Sequence, residues 1–230
     1  MYYDCLIIDD EQVLTDSTAE YFNMFDVKTA AVYDAAGARL FLKENEVSII
    51  LLDINLGSGS GFELCRNIRE TSDIPILFIS ARNTDDDKLI ALNIGGDDYI
   101  EKPYSLGVLL AKVKVALKRF GKKETDNSSE QKEYVSGDLK VDRVNKCVYL
   151  KGELKKLTSM EFNLLDYLCR NPGRLVTKNE LFDNVWKDKF TSDGTLNVHI
   201  RHLREAIEED PNDPKRIKTV WKEGYRWQEL

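Results

Sequence analysis

Short apolar runs that end in polar residues dominate the first half of the chain. Three such runs cover residues 5–8, 48–52 and 74–79, and they lead into Asp9, Asp53 and Ser80 respectively. A fourth short stretch, 98–101, leads into Lys102. Segments with helical spacing of apolar residues alternate with these runs, at 14–24, 35–43, 61–69, 85–92 and 106–119. This alternation is typical of successive βα units. We therefore predict a doubly wound α/β domain with a parallel five-stranded sheet over residues 1–120.

A break in the pattern follows at residues 121–133. This stretch has no apolar residue and no periodicity. Such a composition is typical of a flexible linker, so we predict a domain boundary here and a second domain over residues 134–230.

The second half begins with short β-like segments at 139–141, 147–150 and 155–157. Thr158 and Glu161 then form a capping-box pattern at the start of a helix. A second helix is predicted after Thr177 and through Trp186, and a third over residues 193–208. Residues 217–220 and 224–227 predict a two-stranded hairpin. Three helices with a terminal hairpin indicate an α+β winged helix-turn-helix.

Composition indicates the class of protein, and the charge differs between the two halves of the chain. The chain has 230 residues, and no apolar run approaches the length of a membrane span, which is about 20 residues. With no basic region at the start, a cytoplasmic protein is expected. Residues 1–120 hold 20 acidic and 12 basic residues, whereas residues 134–230 hold 16 and 18. The second half is therefore the candidate for a polyanionic partner, although this excess alone does not establish one.

The four cysteines are scattered, with no CxxC pair, at positions 5, 65, 147 and 169. We interpret them as structural thiols, against a metal or redox role.

Ligands bind outside the carboxyl ends of the strands in an open parallel sheet. If the predicted strands are neighbours, this edge gathers Asp9, Asp10, Asp53, Ser80 and Lys102. The carboxylates suit Mg²⁺ or another divalent cation, and the backbone carbonyl of Asn55 would add an oxygen ligand. The alternative is that these are only the polar residues of ordinary loops. We predict a site that presents Asp53 for phosphoryl transfer.

At these residues the first domain resembles the receiver domain of two-component response regulators. The resemblance assigns Asp9 and Asp10 as the acidic metal-binding pair, Asp53 as the phosphoacceptor and Ser80 as the switch hydroxyl. It assigns Tyr99 as the switch aromatic residue, Lys102 as the lysine of the site, and Pro103 as the following proline, reached through a cis bond. It implies that phosphorylation draws Ser80 and Tyr99 inward and repacks a surface used for dimerisation.

This dimer surface departs from the usual receiver pattern. Lys88 normally faces a glutamate, but the matching position is Val108, whereas Asp97 and Lys112 match a family ion pair. The usual dimer is therefore expected to be weaker or shifted. A proline is also usual at Gly57, and its replacement predicts a looser loop after Asp53.

The third predicted helix of the second half is a candidate for DNA recognition. Leu196, Ile200, Leu203 and Ile207 form an inward stripe, so Asn197, Val198, Arg201, His202 and Glu205 are predicted on the opposite face. Arg201 is the candidate for a base edge, and His199 and Arg204 are candidates for phosphate contacts. From this helix alone, a solvated amphipathic helix is an equal alternative.

The second domain resembles the OmpR/PhoB-type winged-helix DNA-binding domain, on residues 198–204 and on 219–226. In the wing, Lys222 and Arg226 are further candidates for DNA contacts, although Glu223 would oppose Lys222. Trp186, Trp221 and Trp227 are predicted to be packing residues.

The favoured function is a response regulator that is not an enzyme. The resemblance implies that a sensor histidine kinase phosphorylates Asp53 with Mg²⁺. It also implies a homodimer that binds double-stranded promoter DNA and works with RNA polymerase. One alternative is a phosphatase with an aspartyl-phosphate intermediate, but Asn55 stands where such enzymes place a second carboxylate. Another is a regulator that works without phosphorylation.

Overall fold

The computed structural model describes residues 1–57, 59–81, 84–120, 132–187 and 191–230. The chain forms two compact units, Met1–Gly121 and Lys122–Leu230. Of the predicted linker, 121–133, residues 121–131 lie outside the described residues. Within the described ranges, no helix is both long enough and apolar enough to cross a bilayer.

The first unit is a five-stranded parallel sheet with helices on both faces. Its elements are β1 (Tyr2–Ile8), α1 (Gln12–Met24), β2 (Thr29–Val32), α2 (Ala35–Glu44), β3 (Glu46–Asp53), β4 (Asn55–Leu56), β5 (Gly59–Ser60), α3 (Gly61–Arg69), β6 (Ile76–Ser80), α4 (Asp85–Asn93), β7 (Asp98–Glu101) and α5 (Leu106–Phe120). The strand order is β2-β1-β3-β6-β7, and all neighbours are parallel. The predicted doubly wound fold is confirmed.

The two faces of this sheet carry separate apolar cores. On one face, Phe22 of α1 and Leu109 of α5 pack with alternate residues of the strands. On the other, α2, α3 and α4 contribute Ala38, Leu64 and Ala91. Strands buried on both faces must be apolar throughout, which is why β3 and β6 are nearly continuous apolar runs.

The second unit combines two antiparallel sheets with helices between them. Its elements are β8 (Glu133–Ser136), β9 (Leu139–Asp142), β10 (Cys147–Leu150), β11 (Glu153–Lys155), α6 (Ser159–Cys169), β12 (Leu175–Thr177), α7 (Lys178–Leu181), α8 (Asp193–Ile207), β13 (Ile217–Val220) and β14 (Gly224–Trp227). A π-helical segment, Phe182–Trp186, continues α7. The first four strands form one sheet, and β12, β14 and β13 form the other. This is the predicted winged helix-turn-helix.

Helix starts were predicted well in this unit because local side chains fix them. Thr158 and Glu161 form both hydrogen bonds of the capping box. Thr177 likewise accepts a hydrogen bond from the backbone of Glu180. These side chains accept hydrogen bonds from backbone amides at the helix starts, which have no partner within the helix.

Several short strands were not predicted. The β4–β5 hairpin occupies the stretch expected to be a loose loop, β8 begins at Glu133 inside the predicted linker, and β12 adds a third strand to the terminal hairpin. The strand predicted at 155–157 lies instead at Glu153–Lys155. Strands of two to four residues carry too little pattern to detect, and their pairing depends on distant partners.

The cysteines are free thiols, as predicted. Cys5, Cys65 and Cys169 are buried. Burial raises the pKa of Cys65 to about 12. A thiol with so high a pKa carries almost no reactive thiolate at neutral pH.

Candidate functional site: an acidic pocket and a recognition helix

The carboxyl ends of four strands of the first unit meet at one edge of the sheet. β1 leads to Asp9, β3 ends in Asp53, β6 ends in Ser80, and Lys102 directly follows β7. Asp9 and Asp53 are buried. The ligand atoms of Asp9, Asp10 and Asp53 all lie within 4.8 Å of one another. The structure therefore brings together the residues that the sequence placed at separate strand ends.

Backbone amides hold the two buried carboxylates in place. The amide of Glu11 donates to Asp9 Oδ1 at 3.0 Å, and that of Asn55 donates to Asp53 Oδ1 at 3.1 Å. In each case the other carboxylate oxygen, Oδ2, lies 2.7 Å from Lys102 Nζ. One oxygen of each aspartate is thus fixed by the backbone, and the second faces the centre of the pocket.

Lys102 balances the negative charge of the pocket. Besides the two aspartates, its Nζ donates to Glu11 Oε1 at 2.9 Å. Burial alone would lower the pKa of Lys102, but the hydrogen bonds that it donates to Asp53, Asp9 and Glu11 raise it. The ammonium is therefore a permanent charge at neutral pH. Sequence reasoning had assigned no role to Glu11, although it directly follows Asp9 and Asp10.

Asp53 lies in an environment suited to a nucleophilic carboxylate. Burial raises its pKa, and the neighbouring charge of Asp9 acts in the same direction, whereas Lys102 and the Asn55 amide oppose them. A divalent cation would relieve the repulsion between these carboxylates. Asp9, Asp10 and Asp53 would hold it, because hard cations prefer carboxylate oxygens. That the Asn55 carbonyl also binds the cation stays a prediction.

Ser80 and Tyr99 lie next to each other on neighbouring strands. Ser80 is fully buried, Tyr99 is partly buried, and their side chains are hydrogen-bonded. Burial raises the pKa of the Tyr99 phenol, so it remains a neutral hydrogen-bonding group. The Lys102–Pro103 peptide bond is cis, as predicted.

The loop after Asp53 is built around two glycines. Gly57 has a φ of +60°, a conformation that glycine adopts without strain and that proline cannot adopt. At Gly61, a Cβ would lie 2.0 Å from the carbonyl oxygen of Asp53. The start of α3 therefore packs directly on the backbone of Asp53, which fixes the position of that residue.

The predicted dimer surface is only partly exposed. Val108 is 43% exposed, and Lys88 forms an ion pair with Glu101. Asp97 is completely buried, and its carboxylate accepts hydrogen bonds from Arg69 and the backbone of Ile76. The prediction that Asp97 is available at a surface ion pair is wrong, because its side chain stabilises the interior of the domain. Lys112 instead pairs with Asp98, at 3.0 Å.

In the second unit, α8 exposes fewer of the predicted residues than expected. Asn197 and Arg201 are exposed, and Arg201 pairs with Glu205 at 2.9 Å. Val198 and His199 are 5% and 0% exposed, so the prediction that they face DNA is wrong. Their side of α8 faces the interior of the unit, because the apolar stripe is wider than the four residues used to define it. His199 packs against Trp186, with ring centroids 5.7 Å apart.

His202 and Arg204 are half-buried and have structural partners. Arg204 donates to the carbonyl of Ile217 at 2.7 Å and to Thr219 Oγ1 at 2.7 Å. These bonds attach α8 to β13. That Arg204 also contacts phosphate stays a prediction.

A buried carboxylate fixes α8 from the other side. Glu161 Oε1 lies 2.9 Å from His202 Nδ1 and 3.9 Å from His199 Nδ1, the latter a distance for electrostatic attraction rather than a hydrogen bond. Burial alone would raise the pKa of Glu161, but the two histidines and the Thr158 amide lower it to about 2. The sequence showed Glu161 only as a capping residue.

The wing is the turn between β13 and β14. Lys222 and Arg226 are exposed, as a DNA contact requires. Trp186 and Trp227 are fully buried, which confirms them as packing residues, but Trp221 is 80% exposed. The prediction that Trp221 packs in the core is wrong, because the turn places it beyond the ends of both strands.

Known proteins share both units. Residues 5–114 match the response regulator receiver domain family, and residues 152–227 match the C-terminal domain of transcriptional regulatory proteins. The sensory transduction protein RegX3 of Mycolicibacterium smegmatis is 35% identical over 222 residues, covering 96% of this chain and 97% of RegX3. The regulatory protein VanR of Enterococcus faecium is 37% identical over 226 residues, covering 96% of each chain.

Among solved structures, the response regulator DrrB, described as a Thermotoga maritima OmpR/PhoB homologue, is 30% identical. The match has a TM-score of 0.51 and covers 99% of this chain and 100% of that one. A receiver joined to a winged-helix DNA-binding domain defines a class of transcription regulators. This chain belongs to the OmpR/PhoB family of two-component response regulators.

Proposed function

We propose that a partner histidine kinase phosphorylates Asp53 in an Mg²⁺-dependent reaction, and that this change promotes dimerisation and sequence-specific binding to promoter DNA. The observation that carries the proposal is the pocket itself. A buried aspartate lies within ligand distance of two others and 2.7 Å from a lysine ammonium. Phosphoryl transfer requires mainly positioning and charge neutralisation, and these groups supply both.

In this proposal the residues divide the work. Asp9, Asp10 and Asp53 would hold the cation, and its charge would offset that of the phosphoryl donor. The carboxylate of Asp53 attacks phosphorus, and the bond between phosphorus and the kinase histidine breaks. Lys102 exchanges its bond to Asp53 for one to a phosphoryl oxygen, and this requires little movement because Nζ already lies at hydrogen-bonding distance.

Ser80 and Tyr99 carry the change away from the pocket. Because the two side chains are hydrogen-bonded, a movement of the Ser80 hydroxyl towards the phosphoryl group would break this bond to Tyr99. The exposed side of α4, β7 and α5 then changes, including the surroundings of Lys88 and Val108. Since Lys88 and Lys112 have partners within the chain, a dimer that used them would have to exchange those partners.

We assign residues 1–120 to the receiver, 121–133 to a linker and 134–230 to DNA binding. Arg201 and Asn197 would read base edges, Lys222 and Arg226 would contact the backbone, and RNA polymerase would be the eventual partner at the promoter. This protein would act as a regulator rather than as an enzyme with a separate substrate.

The test compares the wild type with Asp53→Asn, which keeps the shape of the side chain but removes the nucleophile. Each protein is treated with acetyl phosphate, with and without Mg²⁺. Intact mass, oligomeric state by analytical ultracentrifugation and binding to a promoter fragment are then measured. Asp16→Asn, at an exposed aspartate of α1, is the matched control.

We expect one added phosphoryl group, dimer formation and tighter DNA binding in the wild type and the control, only with Mg²⁺. Asp53→Asn should show none of these changes. Equal DNA binding by all three proteins under every condition would instead support a regulator that works without phosphorylation.

A further inference from the structure

Trp221 is an exposed aromatic residue at the tip of the wing. It is 80% exposed, whereas the other two tryptophans are fully buried. Leaving so large an apolar side chain in water forgoes the stabilisation that its burial would give on folding. Folding therefore does not account for a tryptophan at this position.

The backbone of the wing holds the tip away from the core. The amide of Glu223 donates to the carbonyl of Val220 at 3.0 Å and closes the turn. The amide of Lys178 donates to the carbonyl of Glu223 at 3.1 Å and anchors the turn to the start of α7. Between these bonds Lys222 has a φ of +63°. Trp221 is consequently presented on a fixed turn.

This turn lies near the N-terminal end of α8. Thr219 and Tyr225 are register partners in the wing, and both contact α8. Thr219 Oγ1 accepts a hydrogen bond from Arg204 in the C-terminal half of the helix, and Tyr225 Oη donates to Asn197 Oδ1 in the N-terminal half at 2.9 Å. At the tip itself, Lys178 links Glu223 to Asp193 at the helix start. In helix-turn-helix proteins, N-terminal residues of the recognition helix contact base edges.

The charges around the tip favour a polyanion as the occupant. Lys218 and Arg226 are register partners on adjacent strands, and Lys222 follows Trp221 directly. Glu223 is the acidic residue of this turn, and its backbone is held towards α7. An aromatic ring among cations is the combination with which proteins grip nucleic acids, since cations meet phosphates and rings meet sugars and bases.

We propose that Trp221 is a DNA-contacting residue, and that its indole enters the minor groove next to the major groove occupied by α8. There it packs against sugars and base edges while Lys222 and Arg226 contact phosphates. Apolar side chains act in this way in other minor-groove proteins. The inference rests on the proposed DNA-binding function and assigns a specific contact within it.

The chain offers a direct probe, because Trp186, Trp221 and Trp227 are its three tryptophans and one is exposed. We would measure acrylamide quenching of tryptophan fluorescence in the full-length protein, free and bound to a mixed-sequence duplex at low salt. Trp221→Phe gives the quenching of the two buried tryptophans alone. In the DNA complex, we expect wild-type quenching to fall towards that of Trp221→Phe.

Affinity is measured on the same duplex. Trp221→Ala should weaken binding about tenfold, the size of one stacking contact, whereas Trp221→Phe should retain most of the affinity. Leu154→Ala, at an exposed apolar residue of β11, is the matched control and should bind normally.

The outcomes separate the two proposals. If the wild type binds neither this duplex nor the promoter fragment, even after treatment with acetyl phosphate and Mg²⁺, the DNA-binding function fails, and this inference fails with it. If the wild type binds DNA while its quenching and the affinity of Trp221→Ala are unchanged, the DNA-binding function stands and the role of Trp221 is refuted. The exposed indole would then belong to a protein contact.

Discussion

The charge of Glu161 should contribute strongly to the stability of the second unit. Its pKa falls from 4.5 to about 2 because the buried carboxylate faces His199 and His202 and accepts a hydrogen bond from Thr158. Such a shift corresponds to about 3 kcal/mol in favour of the folded state with the carboxylate ionised. This is a large part of the 5–15 kcal/mol typical of a domain.

Glu161→Gln isolates this contribution. Glutamine at the third helical position can still accept from the Thr158 amide, so the capping box is kept while the charge is removed. We expect the variant to be about 3 kcal/mol less stable than the wild type at pH 7. The folded-state pKa lies below the unfolded value. The wild-type advantage is therefore complete above about pH 4.5 and is lost as the pH falls towards 2.

The assay is urea denaturation of the full-length chain between pH 3 and pH 7, followed by tryptophan fluorescence. All three tryptophans lie in the second unit, so the signal reports on the unfolding of that unit. Glu153→Gln, at an exposed carboxylate paired with Lys155, should change stability by less than about 1 kcal/mol. A Glu161→Gln difference that is similarly small at pH 7, or that stays constant down to pH 3, would refute the reasoning.

Three further substitutions separate the pocket from the recognition helix. Gly61→Ala should destabilise the first unit by more than about 2 kcal/mol, because the new Cβ would meet the Asp53 carbonyl oxygen at 2.0 Å; a far-UV circular dichroism melt unchanged from wild type would contradict this. Lys102→Met should slow phosphorylation by acetyl phosphate at least about tenfold, because it removes the ammonium group that pairs with the phosphoryl group. An unaltered rate of mass increase would count against that role of Lys102. Arg201→Ala should weaken DNA binding without changing stability. Arg204→Ala should instead lower the urea midpoint of the second unit, because its three hydrogen bonds to β13 are lost; equal effects of both substitutions on stability would disprove the distinction.

The sequence alone predicted which residues form the pocket, because the order of the strands determines which strand ends meet. Once the apolar runs at Asp9, Asp53 and Ser80 are taken as parallel neighbours, their carboxyl ends must meet at one edge. The sequence could not show how the carboxylates are oriented. That orientation depends on the amides of Glu11 and Asn55, and backbone direction carries no sequence signal of its own.

The recognition helix was predicted less well because a polar residue type does not reveal its partner. His199 looked like a phosphate contact, yet it is buried beside Glu161, which lies 38 positions earlier in the chain. Asp97 was misassigned for the same reason, since its partner Arg69 is far away in sequence. Trp221 shows the reverse error, because apolar character predicted burial where the turn prevents it.

The wing is held in shape by hydrogen bonds between backbone atoms, from Glu223 to Val220 and from Lys178 to Glu223. Such bonds do not depend on which side chains occupy the tip, provided that no proline removes a donor. Positions 221 and 223 can therefore change during evolution without loss of the fold. After gene duplication, a regulator of this kind could diverge in its choice of promoters at the tip of the wing, while the rest of the domain remained under selection for stability.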